Sequence, residues 1–455
     1  MGNESELLNR AGPTRGARGG CSLQALPGGS ETIGYSVEGR PLLVRHCGDD
    51  GERLRLFILA GQHGDESDAP KAALEYLAEF ASNPPKGVRL AVLWDANPDG
   101  SAAGTRRNAR DIDLNRDHVL LSAPETRAVH LFVNRWRPNL IVDVHTYRPW
   151  RPELLQHGMV FPQDVMIDFP TNPAIRTGWT PAARNRLFAR LKQRMAEASL
   201  RCDRYTLVRA PGIVRHSTLD ILDARNMFAL RYETPTVLLE GRRSSREDPR
   251  IFTAPHRALV KSIDAVVEWA SRRRQQMRRE RPGPPQYYDT VPIQCRYIHS
   301  NSPARYMEMQ SASFGDIQVV GIPGEYLPSI KTVRTVRTPR AYAVPRTAAK
   351  LLQVLARQNL ERAPSSGPGR IQAEFYRIWC EAGTELSEGS DVAPFTTTER
   401  KSLDAAKYVL FPTSQVGGRA LTLLLEPESQ FGAHRFPGLG LPLEQASFYP
   451  VARVV

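Results

Sequence analysis

The sequence predicts an α/β fold: a mixed but mostly parallel sheet flanked by helices, followed by a smaller β-rich or α+β region. Three observations predict it. The apolar runs LRLFILA (54–60), RLAVLW (89–94), NLIVDV (139–144) and PTVLLE (235–240) are continuous rather than alternating, as in strands buried on both faces. Stretches with apolar residues at helical spacing lie among them. Beyond the Pro-rich stretch at 282–285 the composition shifts to short apolar runs broken by Pro, Gly and Thr.

With 455 residues, 41% hydrophobic and 24% charged, the chain has an ordinary soluble composition and the length for two domains. The expected organisation is a disordered segment at 1–30, a main domain at 31–272, a basic and Pro-rich linker at 273–290, and a carboxyl-terminal domain at 291–455. No apolar run approaches membrane-spanning length. Residues 1–30 lack the apolar core of a secretory signal, so a cytoplasmic location is expected unless the true start lies upstream. Cys21, Cys47, Cys202, Cys295 and Cys380 are scattered and without C-x-x-C spacing, which predicts free thiols. The net charge of +13 is spread along the chain without a nucleic-acid motif, so no nucleic-acid partner is expected. Its one dense run, Arg272 to Arg281, reads as the solvated end of a helix.

In chain order, IGYSVEGRPLLVRH (33–46) alternates like an edge strand or hairpin leading into the strand at 54–60. Ser67 or Asp68 can cap a helix with the apolar stripe Ala72, Leu74, Tyr76, Leu77 and Phe80. The strand of 89–97 ends in NPDG, a turn signal. A helix from Pro181 to about Leu200 has the stripe Leu187, Leu191, Met195 and Ala198. Another at 255–272 packs through Leu259, Ile263, Val266 and Trp269. In the last region a helix at 347–360 interrupts the short strands.

Chemistry concentrates where apolar strands end. The run 54–60 stops at Gly61 and delivers His63 and Glu66, three positions apart on a turn, so both can face one cation. NLIVDVHTY repeats the pattern and delivers His145. Two imidazoles and a carboxylate with a fourth position open are the ligand set of a catalytic zinc site. The loop TRRNARDIDLNRDH (105–118) carries Arg106, Asn108, Asp113, Asn115 and Arg116; arginine grips carboxylates in a bidentate fork, and asparagine adds a donor.

HGDE (63–66), NPDG (97–100), RRNARDIDLNRD (106–117), DVHTY (143–147) and PTVLLEGR (235–242) together resemble the zinc metallocarboxypeptidases of the carboxypeptidase A type, over about residues 33–272. The resemblance implies one Zn2+ per chain held by His63, Glu66 and His145, with Glu240 as general base and Arg106 polarising the scissile carbonyl. It implies that Asn115 and Arg116 hold the terminal carboxylate of a peptide substrate, and that Asp113 orients the first histidine ligand. Glu240 is preferred to Glu233 because it terminates an apolar strand, whereas Glu233 precedes a Pro-containing turn. The chain departs from the family in one respect. Residues 210–230 contain no tyrosine to close over substrate, and His216 and Tyr205 are the nearest polar replacements. The last region resembles the carboxyl-terminal extension of larger bacterial members.

Two other readings fit parts of the pattern. Acyl-amino-acid deacylases of the aspartoacylase and succinylglutamate desuccinylase type resemble the chain in H-x-x-E, DLNR and the later His. A non-catalytic peptide-binding relative would explain the absent tyrosine.

Overall fold

The computed structural model describes residues 29–455 apart from 49–53, 210–212, 217, 244–255, 280–288, 300–304, 313–315, 323–324, 365–368, 380–394, 442 and 444–446. Residues 1–28, Cys21, Cys380 and half of the expected linker, 280–288, therefore lie outside the described residues.

Eight strands form the central sheet: β1 (Ser30–Tyr35), β2 (Pro41–Gly48), β3 (Leu54–Ala60), β4 (Val88–Leu93), β5 (Leu140–Tyr147), β6 (Val165–Asp168), β7 (Cys202–Arg204) and β8 (Thr236–Arg242), in the spatial order β1-β2-β4-β3-β5-β8-β6-β7. The β4-β3-β5-β8 centre is parallel, while β1, β2 and β6 join antiparallel. The continuous apolar runs have the physical basis expected of them, because both faces are covered and successive residues alternate between two cores.

On one face Leu56, Ile58, Val142, Val144, Val237 and Leu239 pack beneath three helices, α1 (Asp68–Ser82), α3 (Pro181–Glu197) and α5 (His256–Arg272). On the other face Phe57, Leu59, Ala91 and Ile141 pack beneath α2 (Pro124–Trp136) and α4 (Ala224–Tyr232). By the same alternation, Asp143, His145 and Glu240 belong to the second face. The stripe of α5 is buried as expected, each large apolar side chain contributing roughly 1.5–3 kcal/mol. One position on α3 differs from the expected stripe: Ala198 is exposed, because the helix ends at Glu197 and Ser199 turns left-handed with φ 57°. The amide of Leu200 then donates back to the carbonyl of Met195 at 2.8 Å, closing the helix end.

The remaining chain is β-rich with helices, as predicted. Its largest sheet has five antiparallel strands, in the order Phe395–Asp404, Arg370–Trp379, Phe448–Val454, Ala341–Pro345, Tyr408–Pro412. Two helices, α6 (Ala349–Arg357) and α7 (Gly418–Leu425), pack with it, and α7 is buried along its whole length. This region shares a core with the first one: Leu421, Leu424 and Tyr342 cluster with Val119, Ile221, Met227 and Leu230. Strand pairing crosses between the regions too. Glu325–Leu327 runs parallel to Ile213–Arg215, and Arg305–Ser311 pairs with Met159–Val160. No helix among the described residues is long and apolar enough to cross a membrane.

Candidate metal and active site

The parallel centre of the sheet brings the carboxyl ends of β3, β5 and β8 side by side, and the site is built from residues at those ends or just beyond them. After β3 the chain turns through Gly61, at φ 70°, and Gly64 comes so close to Gly100 that an added Cβ would lie 2.0 Å from that residue's carbonyl carbon. This tight turn points His63 and Glu66 the same way. The Nδ1 atom of His63 lies 2.8 Å from Glu66 Oε1, and Nδ1 of His145 lies 3.1 Å from Glu66 Oε2. The two rings face one another with centroids 4.8 Å apart, and all three residues are buried.

The outward nitrogen of each ring is backed by a carboxylate. His63 Nε2 lies 3.2 Å from Asp113 Oδ1, and His145 Nε2 lies 3.1 Å from Asp143 Oδ1. Glu66 is anchored by the amide of Thr146, which donates to Oε2 at 2.8 Å. Although burial alone would raise its pKa, the imidazoles of His145 and His63 outweigh that and hold the Glu66 carboxyl well below the usual carboxylate range. Ligand atoms of His63, Glu66 and His145 all lie within 4.8 Å of one another. Two imidazole nitrogens and a carboxylate, with carboxylates behind both rings, fit the donor chemistry of zinc with three protein ligands.

The other predicted residues gather around this group. Asp113, held far down in pKa by His63 and Arg106 despite its burial, accepts from Arg106 Nε at 3.0 Å. Nη1 of Arg106 reaches to 3.8 Å from Glu66 Oε1. Asn115 Oδ1 accepts from the amide of Ala224 at the start of α4 at 2.8 Å, and its Nδ2 lies 3.2 Å from His145 Nε2. Arg116 is exposed at the rim, donating to the carbonyl of Asn115 at 2.6 Å. Glu240 stands in register with His145 on the neighbouring strand, so the two side chains share a face. Burial, reinforced by Glu66 and opposed by the two imidazoles, pushes the Glu240 carboxyl up to about 7. Glu233, in contrast, is buried at the left-handed cap that ends α4, before the start of β8.

Two contributors to the site and one contact beside it escape the sequence-level reading. Asp143 was recoverable, since D-V-H in a strand puts Asp143 and His145 on one face. Arg243 comes directly after β8 and ties the site together: it donates to Thr146 Oγ1 at 3.2 Å and Asp65 Oδ2 at 3.0 Å, and its Nη2 lies 3.5 Å from Glu66 Oε1. Tyr326 comes from the last region, its hydroxyl 3.3 Å from His216 Nε2, while His216 Nδ1 lies 3.1 Å from the carbonyl of Tyr205. Tyr205 is pushed up to about 12 by burial and the Glu240 charge, which puts it within electrostatic reach of the site.

A model of the zinc carboxypeptidase family matches residues 30–198. Carboxypeptidase 2 of Trichophyton tonsurans is 24% identical over 433 residues, 88% of this chain and 77% of that one. Murein peptide amidase A of Escherichia coli is 31% identical over 150 residues, 27% of this chain and 60% of the relative. For several other carboxypeptidases that it matches, the chain spans about a third, 30–31%, of their length. Among solved structures, a metallo-carboxypeptidase from Burkholderia cenocepacia aligns with a TM-score of 0.41 at 18% identity, over 55% of this chain and 66% of that one. Glu240 lies beyond the residues matched by the family model, which cover the turns carrying His63, Glu66, Arg106, Asp113, Asn115, Arg116 and His145. Over residues 30–198 the chain is therefore similar to the zinc carboxypeptidase family.

Proposed function

We propose that the protein is a zinc-dependent carboxypeptidase that releases carboxyl-terminal residues from peptides. The observation that carries this reading is the buried convergence of His63, Glu66 and His145, with ligand atoms within 4.8 Å, inside a region matched by the zinc carboxypeptidase model. These three residues would hold the metal, with Asp113 and Asp143 orienting the two imidazoles. When bound, zinc supplies Lewis-acid activation of water and of a carbonyl.

The chain's own groups do the rest. Glu240, its carboxyl near 7, is poised to take a proton from the attacking water and return it to the leaving amine. Arg106, fixed by Asp113, offers Nη donors to the developing oxyanion. Arg116 presents an exposed fork for the substrate's terminal carboxylate. Asn115 already uses its oxygen on the amide of Ala224, so its part is to fix the loop and to offer at most its Nδ2.

Peptides with free and amidated carboxyl termini, assayed with and without a chelator, test the reading. The free-terminus peptides lose their last residue, the amidated ones react at least ~10²-fold more slowly because they lack the carboxylate that positions the substrate on the cationic fork, and chelation abolishes both reactions. Equal rates on both peptides overturn the exopeptidase reading. Turnover of N-acyl amino acids without turnover of dipeptides transfers it to the deacylases.

A further inference from the structure

Behind the site, on the sheet face covered by α2 and α4, lies a buried chain of polar side chains that the proposed reaction does not use. The Nε2 atom of Gln62 donates to Asp143 Oδ1 at 2.8 Å, and Gln62 Oε1 lies 2.8 Å from His118 Nε2. His118 Nδ1 lies 3.0 Å from Nε2 of His130, on α2, and His130 Nδ1 lies 2.9 Å from the hydroxyl of Tyr232, on α4. Gln62, His118 and His130 are 2% exposed or less.

The direction of every bond in this chain is determined from one end. The Asp143 carboxylate can only accept, so it takes the amide nitrogen of Gln62 and leaves Oε1 facing His118. That oxygen must receive a proton, so His118 carries its hydrogen on Nε2. Among the described residues no carboxylate is hydrogen-bonded to either ring, and burial disfavours a charge on both, so each is neutral. Nδ1 of His118 is then an acceptor, His130 donates from Nε2, and the neutral ring of His130 turns its Nδ1 lone pair to the Tyr232 hydroxyl, which also lies 3.2 Å from the His130 carbonyl. Asp143 Oδ1 is also the atom that backs His145 Nε2 at 3.1 Å. The line therefore runs from two packed helices to the ring orientation of one of the three ligand residues.

We propose that His118 is a positioning residue for the metal centre, which holds Gln62, and through it Asp143 and His145, by a one-directional hydrogen-bond relay completed by His130 and Tyr232. The metal role rests on the zinc reading above; the relay itself does not.

The experiment has two arms. In the first, the intact protein with 15N-labelled histidine, stripped of metal by chelator, is examined by long-range 15N–1H NMR at pH 6, and both His118 and His130 show the neutral Nε2–H form. A protonated ring, or an Nδ1–H form on His118, overturns the relay. In the second, zinc affinity is measured by chelator competition on wild type, His118→Phe and His118→Gln. His118→Phe keeps a ring but neither donor nor acceptor, and it binds zinc ~10–100-fold more weakly. His118→Gln carries one of each and recovers most of the loss, which a role in packing alone would not produce. Folded His118→Phe with wild-type affinity overturns the positioning role. A wild-type protein that binds no zinc overturns the zinc reading and the metal role with it, whatever the tautomers. If His118→Phe does not fold, His118→Leu, which likewise has neither donor nor acceptor, takes its place: a loss of ~10-fold or more that His118→Gln largely recovers supports the proposal, and wild-type affinity in His118→Leu overturns it.

Discussion

Glu240 is the residue on which hydrolysis turns if the proposed function is right. Glu240→Gln keeps the size of the side chain but cannot accept a proton, so turnover should fall by ~10²-fold or more while bound zinc stays near one per chain. Glu66→Gln should instead lose metal, since it weakens a ligand; activity and metal content measured on both variants check the contrast. A Glu240→Gln enzyme with near-normal turnover would sink this assignment. His118 makes a separate prediction about acid. Burial, with the nearby His145 and Arg116 charges and against those of Asp143 and Asp113, brings its pKa down to about 4. Its folded pKa is thus below the unfolded value of ~6.5, so the unfolded state binds the extra proton first as pH falls. The stabilising contribution is complete above ~6.5 and is lost as pH falls from there through about 4. Denaturant titration of metal-free protein should show wild type losing about 3 kcal/mol more than His118→Gln between pH 7 and pH 4. Equal losses would place the acid sensitivity elsewhere. At this scale the metal set was legible because His63, Glu66 and His145 each stand at or just past the end of an apolar strand. Arg243 and the Tyr326 contact to His216 were not, because they depend on the path of the chain after β8 and on a strand pairing from a distant segment.

Among elements, the parallel strands were legible because burial on both faces demands continuous apolar runs, and the ionisable side chains that break the run towards the carboxyl ends of β5 and β8 are Asp143, His145, Glu240 and Arg242. Helix ends were less so. Nothing local announces that α3 stops at Glu197, because its left-handed closing residue is Ser199 where a glycine would have been the signal. Ser67 precedes α1 as predicted, yet its side chain makes no capping hydrogen bond. The H-x-x-E turn shows how close packing sets chemistry. Its Gly64 rests against the backbone of Gly100, where no flexible side chain can give way. Gly64→Ala should therefore push the turn off the loop that begins at NPDG, costing roughly 1–3 kcal/mol by overpacking and moving His63 and Glu66 relative to His145. Thermal denaturation together with zinc titration checks this: both stability and metal affinity should fall. A variant that loses stability yet binds zinc with unchanged affinity would show that the turn is not held by this contact.

For the whole molecule, the change of composition after the Pro-rich stretch predicts a boundary between two domains. Contacts argue for one cooperative structure. The guanidinium of Arg231, on α4, is buried against carbonyls of the last region, donating to Gln358 at 2.9 and 2.7 Å, Asn359 at 2.8 Å and Val416 at 2.7 Å. In return Gln358 Nε2 donates to the carbonyls of His118 and Val119, both at 2.8 Å, three and four residues beyond Asn115. Pairings that join residue 160 to residue 310 leave no local trace in a sequence, which is why this half of the architecture was illegible there. A fragment ending at 279 would expose Val119, Ile221, Met227 and Leu230 and leave Arg231 as a cation without its carbonyls, each a cost on the kcal/mol scale. The full chain should accordingly unfold in a single transition tracked identically by circular dichroism and by tryptophan fluorescence. Leu421→Ala, deep in the shared core, should lower that transition by about 2–5 kcal/mol and carry zinc binding down with it at the same denaturant concentration. A fragment of residues 29–279 that folds with wild-type stability and zinc affinity, or a Leu421→Ala protein whose two probes separate into distinct transitions, would show that the shared core does not couple the halves.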